Sequence, residues 1–147
     1  MKKYTKILIG ASILGVILAF FFYRDINKEV KAFTSKEDII YIFQAGVYKN
    51  LDNAKNFTKT IPPSIIVEDD GYFRVYIGVV YSTDAKEKLK TFFDNLHINY
   101  YIKEKKVSNS LTQELSNYES ALIKQTKNEV IENINKGMLN KLLEYLT

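Results

Sequence analysis

Two stretches of this chain repeat one pattern, Phe43 to Phe57 (FQAGVYKNLDNAKNF) and Val75 to Leu89 (VYIGVVYSTDAKEKL). Each leaves an apolar strand end through a glycine, a short bulky run and a polar turn, and enters a helix at an alanine-lysine pair. Gly46 and Gly78 are 32 positions apart while Ala54 and Ala85 are 31 apart, so one residue of turn length relates two copies of a βα unit. That duplication limits the fold sharply. Two helices with one apolar face each must bury those faces on a shared sheet.

The rest of the pattern fills in the order. From Ile39 to Tyr48 β-branched and aromatic residues alternate as in a strand, with Tyr41, Phe43 and Ala45 expected toward the core and Ile40, Ile42 and Gln44 toward the other face. Asn50 or Asp52 offers an N-cap, Ala54, Phe57 and Ile61 give the following helix an apolar side, and Pro62-Pro63 stops it. Ser64 to Val67 is a short strand, and Glu68-Asp69-Asp70-Gly71 a tight hairpin turn, since Asp-Gly suits the left-handed conformation such turns need. These carboxylates are consecutive, without the ligand spacing of a calcium loop, so no metal is expected.

Tyr72 to Tyr81 (YFRVYIGVVY) reads as the strongest strand, with Phe73, Val75 and Ile77 expected inward and Tyr72, Arg74 and Tyr76 outward. Thr83 or Asp84 would cap a second helix through Ala85, Leu89, Phe92, Phe93 and Leu96, and Asn99 to Val107 would be a fourth strand. The expected class is therefore α+β: a βαββαβ, ferredoxin- or RNP-like, four-stranded antiparallel sheet with both helices on one face. Residues 108–147 follow as a long or broken amphipathic helix on Leu111, Leu115, Tyr118 and Leu122, resumed by Ile131, Ile134, Met138, Leu142 and Tyr145. It would pack on the domain, where over the open sheet face it would occlude a site there and shift function toward protein interaction or regulated binding, or it would offer a surface for self-association or a partner.

Ahead of this module stands Ile7 to Tyr23 (ILIGASILGVILAFFFY), an uncharged run of 17 residues, long enough for a short membrane span. Bulky Phe20-Phe21-Phe22-Tyr23 replaces the small residues of a signal-cleavage site, so an uncleaved anchor is expected. Lys2, Lys3 and Lys6 precede the run, which places residues 1–6 in the cytoplasm, residues 24–38 as a juxtamembrane stem and the remainder outside. Those three lysines and Arg24 account for the whole net charge of +4, because the 17 other basic residues balance all 17 Asp and Glu. The part beyond the anchor is neutral. A nucleic-acid partner, which calls for a basic excess, is thereby disfavoured. With no cysteine there is neither a disulfide frame nor a lipid-anchored cysteine.

No catalytic constellation is visible, so neither an enzyme nor a cofactor is expected. His97, the sole histidine, stands at a helix end and suits the helix dipole. The outward sheet face is more informative. Gln44, Tyr72, Arg74, Tyr76 and Tyr101 (or Tyr100) would combine flat aromatic surfaces with amide and guanidinium donors, a set matched to the C–H patches and hydroxyls of sugar rings.

The motifs YIFQAG, NLDNAKNF, FRVYIG and STDAKEKLKTFF, in that order over Asp38 to Val107, resemble the SPOR domain, the sporulation-related repeat of bacterial division and cell-wall proteins. The resemblance implies an anchored envelope protein whose domain, residues 39–107, binds peptidoglycan glycan strands on its sheet face, with Gln44 and Arg74 at matching positions. Val47, where a small hydroxyl residue is common, and Gly78-Val79-Val80-Tyr81, which lacks the usual proline, depart from the family pattern. The alternative is a non-enzymatic envelope scaffold acting through residues 108–147. An RNP-like RNA binder shares the strand order, but neutral charge and the expected export oppose it.

Overall fold

The structure, a computed structural model, describes residues 38–147, and Glu37–Thr147 forms one compact unit. The expected cytoplasmic segment, the span 7–23 and the stem up to residue 37 lie outside the described residues. Asp38, expected in the stem, is instead the first residue of a strand. The elements are β1 (Asp38–Tyr48), α1 (Leu51–Thr58), β2 (Ile65–Asp69), β3 (Tyr72–Val80), α2 (Thr83–Asn95), β4 (Tyr101–Val107), α3 (Asn109–Leu122) and α4 (Asn128–Leu146). Among the described residues no helix is long and apolar enough to cross a membrane.

The fold is α+β, with four helices on a four-stranded antiparallel sheet in the order β2-β3-β1-β4. The β2–β3 hairpin closes as its sequence demands. Asp69 pairs with Tyr72, and the two loop residues Asp70 (φ 53) and Gly71 (φ 73) are both left-handed. Asn50 caps α1, its Oδ1 accepting from the amides of Asp52 and Asn53. The cap of α2 is Ser82, one residue before the expected Thr83 or Asp84. Ser82 keeps an extended backbone and accepts from Ala85, while Asp84 falls in the first turn, where a carboxylate favours the dipole.

His97 stands at the end of α2, as expected. It has φ 56, and its N–H donates to Asp94 while Ile98 N–H donates to Phe93, so the end of α2 is a Schellman motif with histidine in the place usually held by glycine. Its role there is conformational. No dipole contact is needed to explain it.

Phe43 of β1 meets Phe93 of α2 and Tyr100 beside β4, with ring centroids 5.4 and 5.2 Å apart, and Tyr48 meets Phe57 of α1 at 5.6 Å. Gly78 lies under Leu89 and Phe93, so its missing side chain sets how closely α2 approaches β3. Burial of Phe43, Phe93, Leu89 and their neighbours contributes roughly 1.5–3 kcal/mol per large side chain.

The other side of the sheet is covered too, at one end. Ile40, Ile42, Val79 and Val107 are buried there, and α3 and α4 bury Leu111, Leu115, Leu122, Ile131, Met138, Leu139 and Leu142 in return. The tail is thus a helical hairpin and not one helix, broken at the polar segment before Asn128. Polar clasps hold it. Thr112 and Asn109 donate to Asp38 at 2.8 and 3.2 Å, Glu119 accepts from the amides of Tyr81 and Ser82, and Asn135 donates to the Ile77 carbonyl at 2.6 Å.

Candidate functional site

The site grows out of an irregularity in the central strand pair. Phe43 faces Gly78, Gln44 faces Tyr76 and Gly46 faces Val75, so Ile77 on β3 and Ala45 on β1 have no partner in the ladder. Such a bulge changes which face a strand's residues occupy and increases twist. Gly78 therefore sits beneath α2 while Tyr76, two residues away, shares the opposite face with Gln44. The bulge also frees the Ile77 carbonyl. Buried, that group requires a partner, which Asn135 supplies.

Gln44 is directly opposite Tyr76 on one side and Tyr101 on the other, and Tyr76 is opposite Ile65. One row, Ile65-Tyr76-Gln44-Tyr101, hence crosses all four strands. Arg74 and Tyr72 continue the same side of β3 toward the hairpin, so the five residues expected from sequence do share one face. Their exposure differs widely. Tyr101 is 67 % and Tyr72 38 % exposed, whereas Tyr76 is only 3 % exposed and Gln44 and Arg74 are half-buried.

Tyr76 is thus part of the floor of this surface and cannot serve as an outward stacking platform. Burial pushes its phenol above the ordinary tyrosine range, Arg74 nearby pulls it back and Asp69 raises it again. The Arg74 guanidinium donates to Asp69 Oδ2 at 2.8 Å, and Lys103 Nζ stands 3.9 Å from the same oxygen. Sequence reasoning named Arg74 but missed Asp69, which it assigned only to the turn, and Lys103.

Asp69 and Lys103 come from β2 and β4, the two outer strands. Outer strands of a four-stranded sheet are roughly 14 Å apart when flat, so side chains of this reach meet only if the sheet curls. The face is a trough, not a plane. Inside it, Gln44 Oε1 is buried without a hydrogen-bond partner and has no access to solvent, although Tyr101 opposite is exposed.

The α3–α4 hairpin packs on this same face: α4 lies against β3 and reaches β2, so Tyr76 is buried and Gln44 half-buried, while Tyr101 on β4 and Tyr72 beside the hairpin turn stay exposed. In doing so it turns its own apolar stripes inward. The surface that residues 108–147 would offer a partner is therefore the opposite, polar side, with Ile123 and Tyr145 as its exposed large apolar residues.

Neither a family model, nor a curated protein, nor a solved structure matches this chain.

Proposed function

We propose that residues 39–107 are a SPOR-like domain, ferredoxin- or RNP-like in fold, that binds peptidoglycan glycan strands along the trough. The protein would be held at the cell membrane by the 7–23 span, with residues 1–6 cytoplasmic and the domain outside, at division or sporulation septa. The reading rests on the motif resemblance and on the βαββαβ order with strand order β2-β3-β1-β4. One observation carries the site: Gln44 lies in register between Tyr76 and the exposed Tyr101, with Arg74 and the exposed Tyr72 on the same face.

The roles divide by exposure. Tyr101 and Tyr72 offer ring faces to sugar C–H patches, and the half-buried Gln44 holds its place in the row opposite the Tyr101 ring. Arg74, oriented by Asp69, donates to ring or acetyl oxygens with the guanidinium N–H groups that Asp69 leaves unused. Tyr76 supports them from below. The reaction is binding alone, and no bond is made or broken.

The test is co-sedimentation of residues 38–147 with purified sacculi, before and after an amidase strips the stem peptides. Enrichment that grows after amidase treatment is expected, and Tyr101→Ala, whose exposed ring contributes little to folding, should lower it about tenfold with an unchanged melting temperature. No enrichment over an unrelated protein of similar charge sinks the proposal. Full binding by a folded Tyr101→Ala, Arg74→Ala double variant removes this face from it.

A further inference from the structure

The side of the sheet under α1 and α2 is filled unevenly. α1 has 8 residues against 13 in α2, so at 1.5 Å per residue it is roughly 7–8 Å shorter. Beyond its end, between the chain around Thr60-Ile61 and the Leu96–Asn99 connection, lies a cavity of about 420 Å³. An engineered apolar cavity of about 150 Å³ already takes benzene. This one is a cleft open to solvent, with Thr60, Leu96, His97 and Asn99 exposed at its rim, and it has room for two fused rings.

Its walls are built by specific local devices. A Cβ on Gly46 would come within 2.6 Å of the Tyr48 ring, so glycine is what lets that ring lie back over its own strand. The ring then meets Phe57 at a tilt of 42°, forming an aromatic corner. Across the cavity, the left-handed His97 and the two Schellman hydrogen bonds fix the connection that supplies Ile98 and Asn99.

The chemistry of the lining is uniform in one respect: no Asp, Glu, Lys or Arg contributes to it. Ala45, Phe57, Ile61, Leu96 and Ile98 are apolar, and hydrogen bonding is confined to Tyr48, Thr60, His97 and Asn99. Thr60 Oγ1 donates to the Phe57 carbonyl at 2.8 Å, which leaves its oxygen free to accept. A charged ligand would find no counter-charge here.

We propose that this cavity is a binding site for an uncharged small molecule of one or two flat rings with a hydrogen-bonding substituent, its ring against the Tyr48–Phe57 corner and its polar end toward His97 and Asn99. It lies on the side of the sheet away from Gln44, Arg74 and Tyr101. The inference is therefore independent of glycan binding.

Nitrogen-15-labelled Glu37–Thr147, which carries its own core, is titrated with 2-naphthol and with its charged counterpart 2-naphthoate. Saturable shifts centred on the amides of Ala45, Thr60, His97 and Asn99 are expected for 2-naphthol, with Kd below about 1 mM and at least about tenfold weaker binding of 2-naphthoate. Gly46→Ala, which drives the Tyr48 ring into the space, should weaken 2-naphthol about tenfold. Phe57→Leu keeps the apolar volume without the ring and should weaken it about threefold, which keeps the test decisive should Gly46→Ala fold poorly. Absence of saturable shifts, shifts centred instead on the Gln44–Tyr101 face, or equal affinity for both compounds overturns the proposal. Sacculus binding unchanged by saturating 2-naphthol is expected, and loss of that binding would overturn the independence of the two sites.

Discussion

The two βα units share a sequence pattern and are used differently. In the second, Gly78 gives close packing: α2 presses Leu89 and Phe93 onto it. In the first, Gly46 gives room to its own neighbour Tyr48, and the short α1 leaves a cavity beyond its end. The second unit is also clasped from outside, by Glu119 at its strand-to-helix turn and by Asn135 at its bulge, whereas no clasp from α3 or α4 reaches the turn after β1. A repeated local motif therefore states where the chain bends and caps. How tightly each copy packs is decided by what lies on top of it.

The largest expected effect tests that clasp. Glu119→Ala strands the amides of Tyr81 and Ser82 in a buried place and should lower the unfolding free energy by about 3 kcal/mol in urea titrations. Glu119→Gln, which keeps an acceptor oxygen, should recover part of this, and an equal loss in both variants would show that packing of α3 and not the clasp is at stake. Next come the glycines. Gly78→Ala meets buried Leu89 and Phe93 at 3.0 and 3.1 Å and should cost about 2 kcal/mol, against about 1 kcal/mol for Gly46→Ala, where the half-buried Tyr48 ring can swing aside. Equal losses would erase the contrast between the units.

His97→Gly acts in the opposite direction. Removing the strain of a left-handed histidine should stabilise the protein by about 1 kcal/mol, less the flexibility glycine adds to the unfolded chain. A destabilisation would mean the imidazole makes a contact that matters more than its backbone.

The smallest expected effect is alkaline. Tyr100 is raised well above the ordinary tyrosine range, by burial first and then by its 2.7 Å hydrogen bond to Asp94, and Tyr76 is raised by burial. A phenol held protonated in the folded state contributes stability that is complete below the unfolded value near 10 and is lost as pH rises toward the folded value. Melting temperature should thus fall as pH climbs above about 10, and less steeply in Tyr100→Phe. An ultraviolet titration in which every tyrosine ionises together near 10 while the protein stays folded would contradict it.

Several features were legible because they are local. The Asp70-Gly71 turn, the Asn50 cap and the two helices depend on residues within a few positions of one another, although α1 ends at Thr58, before Ile61 and the expected stop at Pro62-Pro63. The expected sharing of one face by Gln44, Arg74, Tyr76 and Tyr101 also holds, although strict alternation would have put Gly78 on that face as well. Alternation breaks at Ile77 and Ala45. Nothing in their side chains announces it, because a bulge is settled by both strands and by the Asn135 amide that arrives from 58 residues away.

Composition and pattern by themselves determined the element order, the duplication, the Asn50 cap, the Asp70-Gly71 turn and the set of residues on the trough face. Only the tertiary structure decided that α3 and α4 pack on that face, that the sheet curls until Asp69 and Lys103 meet, and that Tyr76 is buried. The physical reason is range. Backbone preference and hydrophobic period act over a turn or a strand, while burial depends on which distant apolar surface reaches a residue first.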